Sequence, residues 1–215
     1  MEAGRLATRP VIKEPRVSNT RTGFLDHSEF KRLCAALPSD LQDLASFLYL
    51  SGWRVGEPRS LEWRDVDLEG HVIRLRPENS KNGQGRTLSL VGELAAIIER
   101  AEARRVLHSP FVFHRDNGRP VADFRRSWAS ACKRAGLGKV HVHDLRRCTA
   151  RNLIRAGVSE TVAMRLTGHK TPSIFRRYAI TTEADLAEAA EKLQAHLAEQ
   201  PATPQKVVQL ARRLA

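Results

Sequence analysis

The stretch HDLRRCTARNLIRAGVSETVAMRLTGHKTPSIFRRY, residues 143–178, decides how the chain is read. Two helical patterns, HDLRRCTARNLIRAGV and SETVAMRLTGH, follow one another, and Pro172 opens a further turn toward Tyr178. His143 and Arg146 are three apart, so on a helix they share one face. Pointing the same way they form an anion clamp. Arginine offers a planar fork to two phosphate oxygens, and histidine offers a proton or a hydrogen bond. Gly168 stops the second pattern and lets the chain turn, which predicts that the imidazole of His169 faces outward. Tyr178 stands nine positions later, directly behind Arg176 and Arg177. Each feature alone fits a solvated basic helix as well as it fits a site.

Upstream, the pattern is again mostly helical. DHSEFKRLCAALP has Asp26 as an N-cap with Glu29 three later, a capping-box spacing, and it closes at Pro38. DLQDLASFLYLSG ends at Gly52, and PRSLEW predicts a short helix with Pro58 near its first turn. The texture then changes. DVDLEGHVIRLRP and GRTLSLV carry short β-type runs, joined by the turn-forming connector ENSKNGQG, which bears Lys81. ELAAIIERAEARRVL is helical, FVFHRDNGRPV predicts a strand and a turn, and DFRRSWASACKRAGL is a helix stopped by Gly136. EADLAEAAEKLQAHLAEQ is an Ala-rich amphipathic helix, and KVVQLARRLA predicts one or two more turns. The fold class expected is mainly α with a small antiparallel β-sheet, α+β.

Charge is the strongest bulk signal. Lys and Arg number 36 against 24 Asp and Glu in 215 residues, a net charge of +12. Between Arg100 and Arg155 stand 14 basic and four acidic residues, whereas from Glu183 onward five acidic face four basic. A basic middle favours a polyanionic partner, because phosphate contacts release condensed counterions. No run approaches the ~20 apolar residues of a membrane span, and the charged start MEAGRLATRPVIKEPR lacks the apolar core of a secretory signal. Three widely spaced cysteines, Cys34, Cys132 and Cys148, form neither a disulfide framework nor a zinc pattern. A reducing, cytoplasmic setting on DNA is the expectation.

GWRVGE at 52–57 adds Arg54 at a helix junction, with Glu57 three later to hold its fork. In order along the chain the candidates are Arg54, Lys81, His143, Arg146, His169 and Tyr178. With SGWRVGEPRSLEWRDVD around the first arginine, the SKNGQGRTLSL strand pair and the 143–178 stretch, the chain resembles the catalytic domain of the tyrosine recombinases, the phage integrase family. The resemblance runs from about Thr22 to Ala190. It implies a recombinase or integrase that cleaves and rejoins duplex DNA through a covalent 3′-phosphotyrosyl link. Tyr178 would be the nucleophile, with Arg54, Lys81, His143, Arg146 and His169 activating and Glu57 supporting. Neither cofactor nor metal is implied, and His141 with His143 lacks a third ligand spaced to make a metal site.

The expected layout is an arm or linker over 1–21, a catalytic domain over 22–182, and a C-terminal helix and tail over 183–215 that packs in cis or docks on a neighbouring protomer. The implied partners are a double-stranded recombination site and further copies assembled on DNA, with no membrane. Val55, Gly56 and Pro58 depart from the family's usual residues, Thr167 stands in a variable slot, and Gly56 and Pro58 bear on the helix start there. The family's usual N-terminal DNA-clamping domain has no counterpart in these residues, which fits an isolated catalytic domain, a fragment or a minimal relative. Two other readings compete: a type IB topoisomerase-like nicking-closing enzyme, and a DNA-binding relative without catalysis.

Overall fold

The computed structural model describes residues 24–81, 83–177 and 183–199. The arm expected over 1–21, Tyr178 and the extra turns expected in KVVQLARRLA lie outside the described residues. Helix α1 (His27–Ala35) begins as its sequence predicts. Asp26 accepts from the Glu29 backbone N–H at 2.7 Å, and the Glu29 carboxylate accepts from the Asp26 N–H at 2.9 Å. Two donors that the helix cannot satisfy are thereby paired. Helix α2 (Ser39–Ser51) follows Pro38 and stops at Gly52.

The next short helix is displaced from its expected place. Helix α3 spans Gly56–Arg59, beginning two residues ahead of PRSLEW and ending at Arg59. The Glu57 carboxylate accepts from the Arg54 backbone N–H at 2.8 Å, and the Glu57 N–H donates to the Arg54 carbonyl at 2.8 Å. That local pair nucleates the turn early, and Pro58 sits in the first turn, where a missing N–H costs nothing. Farther on, Val112 donates to the Leu61 carbonyl and Trp63 donates to the Pro110 carbonyl, at 2.9 Å each, so the chain is extended at Glu62 before a single 3-10 turn at Trp63–Asp65. The same capture explains FVFHRDNGRPV. It forms isolated bridges, Glu62 to Phe111 and His114 to Pro120, rather than the expected strand.

Three antiparallel strands follow in the order β1 (Val66–Asp67), β2 (Val72–Leu75) and β3 (Arg86–Ser89). Ile73 pairs with Leu88, and Leu75 with Arg86. Ile73, Leu75 and Leu88 are buried, so Arg86, two residues before Leu88, lies on the inward face. Helices α4 (Glu93–Ala103), α5 (Arg125–Arg134), α6 (Val142–Arg155), α7 (Glu160–Thr167), α8 (Pro172–Arg176) and α9 (Glu183–Ala198) complete the order. The fold is mainly α with a small antiparallel sheet, as the sequence implies.

Helix α2 is the spine, packed against α4 and α6. Phe47, Trp53, Ile97 and Leu145 are at most 1% exposed along that seam, each contributing about 1.5–3 kcal/mol by burial. The end of α2 meets α6 and α7 closely: a Cβ at Gly52 would lie 2.9 Å from Thr167 Cγ2 and 3.1 Å from Thr149 Cβ. A second small core of Ala150, Ala163 and Phe175 fastens α8 onto α6 and α7. Helix α9 keeps Leu186, Leu193 and Leu197 exposed, and Arg155 on α6 binds Asp185 at 3.1 Å. No helix among the described residues is long and apolar enough to cross a membrane.

Candidate active site

The junction of α2, α6 and α7 collects carbonyl oxygens, and two arginines close on them. Arg146 reaches from α6 and donates Nη1 to the Gly52 carbonyl at 2.6 Å and to the Thr167 carbonyl. Arg54 donates Nη2 to the Gly168 carbonyl at 3.3 Å. The last carbonyls of a helix have no intrahelical partner and carry the negative end of its dipole. The ends of α2 and α7 are therefore natural holders for guanidinium groups. Arg146 is buried, whereas the Arg54 side chain is 23% exposed and so reaches solvent.

Glu57 is the counter-charge, and it is 2% exposed. Its contact with Arg54 Nη1 is long, 3.4 Å. Its contact with Arg86 Nη2 is short, 2.5 Å. Arg86 also lies over the Trp53 ring, 5.3 Å from its centroid. Burial lowers the pKa of Arg86 against the opposing pull of Glu57.

His169 is buried, contrary to the outward-facing imidazole expected from Gly168. Gly168 does turn the chain, with φ of 71°, but Phe175 takes the ring edge-on at 5.3 Å and Thr167 Oγ1 lies 2.7 Å from its Nδ1. The Phe175 cluster thus draws the ring inward. Burial first, then the charges of Arg146 and Arg54, holds its pKa at about 3. His143 keeps an exposed edge at the start of α6. Its pKa is also lowered, by lost hydration first and by Arg146 second. Both imidazoles are therefore neutral at pH 7. His141 serves as the N-cap of α6, its N–H bonded to Asp144 at 2.8 Å.

Of the residues singled out in the sequence, Arg54, Glu57, His143, Arg146 and His169 form one electrostatic cluster. Lys81 is exposed on the β2–β3 connector, and Tyr178 lies outside the described residues. Arg176 is engaged elsewhere, bound to Glu160 at 3.1 Å. Two participants went unrecognised in the sequence. Arg86 alternates with Leu88 and Leu90 in GRTLSLV, and that period of two already placed a charge on the inward face. Thr167 lies in LTGH; its hydroxyl is 2.7 Å from the Ala163 carbonyl as well as from His169. A groove of about 970 Å³ between the sheet and α7, lined by Arg74, Arg86, Arg165 and His169 among others, leads to the cluster.

A sequence profile described as "Phage integrase family" matches residues 23–184. The integrase of Salmonella phage P22 is 28% identical over 196 residues, covering 86% of this chain and 50% of that protein. Tyrosine recombinase XerA of Pyrococcus furiosus is 27% identical over 189 residues, covering 84% of this chain and 65% of that protein. A crystal structure of XerA recombinase superposes with a TM-score of 0.67 at 25% identity, covering 80% of this chain and 65% of that one. A lambda integrase dimer bound to a COC′ core site shares the fold, with a TM-score of 0.61 at 20% identity over 73% of this chain and 47% of that one. The chain spans between half and 65% of the length of these two curated relatives.

Proposed function

Because the chain belongs to the phage integrase family, we propose that it carries the catalytic machinery of a tyrosine-type site-specific recombinase, acting inside the cell on duplex DNA. The observation that carries this reading is the convergence of Arg54 and Arg146 on the carbonyls of Gly52, Thr167 and Gly168, beside two neutral histidines. A phosphodiester repels nucleophiles, and its pentacoordinate transition state gains negative charge. Guanidiniums already fixed on backbone oxygens stabilise that charge without reorganising during the reaction.

Each remaining residue has a step that suits it. Tyr178, with a free pKa of about 10, loses its phenolic proton to His143, whose lowered pKa keeps it available as a base at neutral pH. The phenolate oxygen attacks phosphorus, forming the 3′-phosphotyrosyl bond as the P–O5′ bond breaks. Lys81 donates the proton that the departing 5′-oxygen needs. The single Thr167 hydroxyl proton goes either to the Ala163 carbonyl or to His169 Nδ1, and in the second arrangement His169 donates Nε2–H to a phosphate oxygen. Rejoining reverses the steps with the 5′-hydroxyl of a second strand, and the covalent link conserves the bond energy.

Strand exchange needs several copies on DNA, and the exposed leucines of α9 suit docking onto a neighbouring copy of this chain. The division into an arm over 1–21, a catalytic domain over 22–182 and a tail over 183–215 belongs to the same proposal. The test is a nicked suicide duplex, with a denaturant-stable protein–DNA adduct as readout. Wild type forms the adduct and Tyr178→Phe does not. DNA binding without any adduct points to a non-catalytic relative, and plasmid relaxation without recombinant products points to a topoisomerase-like enzyme.

A further inference from the structure

The carboxylate of Glu57 is shared unequally between two guanidiniums. Arg86 holds it at 2.5 Å from strand β3, while the Arg54 side chain stands 3.4 Å away. A buried carboxylate seeks full compensation. Without Arg86 it would draw Arg54 inward, away from the exposed side on which a phosphate arrives. Arg86 is fixed for this task by its surroundings. Trp53 lies under it, 5.3 Å from centroid to guanidinium carbon. Gly168 adjoins it without a side chain; a Cβ there would stand 1.8 Å from Arg86 Nη1. The carbonyl of that same glycine holds Arg54. Arg86 also follows Lys81 by five positions on one hairpin arm, so it ties that arm to the Arg54–Glu57 unit.

We propose that Arg86 is a positioning residue: by occupying Glu57 it leaves the Arg54 guanidinium available to the scissile phosphate, and it anchors the strand that leads from Lys81. This rests on the recombinase reading for its biological meaning, but not for its test. Two measurements on the full chain separate them. The first is affinity for inorganic phosphate by calorimetry, which reads the oxyanion site whether or not DNA is cut. The second is the single-turnover rate of adduct formation on the nicked duplex, with duplex affinity measured alongside.

Arg86→Met should lower phosphate affinity and adduct rate about 10- to 100-fold, the worth of a charge-assisted hydrogen bond, with little change in duplex affinity. Adding Glu57→Gln to Arg86→Met should restore at least about tenfold of that loss, because a neutral amide no longer competes for Arg54. A merely structural role predicts the opposite, a double variant no better than the single one. Arg86→Lys retains the charge but loses the planar fork stacked on Trp53, so it should lie between wild type and Arg86→Met, and it serves as the comparison if Arg86→Met fails to fold. Equal phosphate affinity in Arg86→Met and wild type, absence of rescue by Glu57→Gln, or an Arg86→Lys protein as impaired as a neutral variant would each overturn the proposal. A chain that shows the loss and rescue with phosphate, yet never forms an adduct, would sustain the role of Arg86 and defeat the recombinase reading.

Discussion

Replacing Gly168 by alanine tests how tightly the site is built. The residue has φ of 71°, in the left-handed region, where an L side chain costs about 1–2 kcal/mol. The new methyl would also lie 1.8 Å from Arg86 Nη1 and 2.6 Å from its Cζ. Arg86 would have to leave Glu57, and breaking a buried pair costs about 3–5 kcal/mol. Together these give about 4–7 kcal/mol. Gly136 is the natural control: its φ is 68°, but nothing lies within 4 Å of a Cβ built there. Gly136→Ala therefore meets only the backbone strain. For a chain of this size each kcal/mol shifts Tm by about 2–4 °C. Circular-dichroism melting should show a fall on the order of 10–20 °C for Gly168→Ala and about 5 °C for Gly136→Ala. Two variants melting within about 2 °C of each other would refute the packing of Arg86 against the α7 terminus.

Other expectations concern titration, the second core and the first helix. The pKa of His169 is about 3 in the fold, below the ordinary 6.5, so the unfolded chain binds a proton first as pH falls. The stability contributed by neutral His169 is complete above pH 6.5 and is lost progressively on descent towards pH 3. His143 acts in the same direction. Urea titrations between pH 6.5 and 5 should show stability decreasing by up to about 1.4 kcal/mol per pH unit through His169, and His169→Asn should remove most of that slope. Phe175→Ala empties a wholly buried position; it should cost about 3–5 kcal/mol in urea unfolding and slow adduct formation by loosening the segment before Tyr178. Asp26→Ala removes the side-chain cap of α1. Urea unfolding should register a loss of about 1 kcal/mol, with the adduct rate unchanged.

Most of the helical framework was legible because its signals are local. The Asp26–Glu29 spacing, Gly52 after α2 and Gly168 after α7 each act within a few residues. The spacing from His143 to Arg146 was readable for the same reason. What escaped was set by partners distant in sequence. The chain is extended at Glu62 because Val112 and Pro110 bond its neighbours Leu61 and Trp63, and no local pattern announces those bonds. His169 turns inward because Phe175 and Thr167 receive it, whereas the preceding glycine permits either direction. Alternation in GRTLSLV placed Arg86 inward, but the need for it arises at Glu57, on another element.

The arginines at the α2 and α7 termini rest on oxygens that every amino acid possesses. A side-chain replacement at Thr167 can disturb His169, yet the oxygen that receives Arg146 remains. Indifference to the side chain holds at Thr167 alone, because Gly52 and Gly168 also carry positive φ and leave no room for a Cβ. Adding or deleting one residue near 167 would rotate the α7 terminal carbonyls by about 100°, taking the Gly168 oxygen from Arg54 and leaving Arg146 on Gly52 alone.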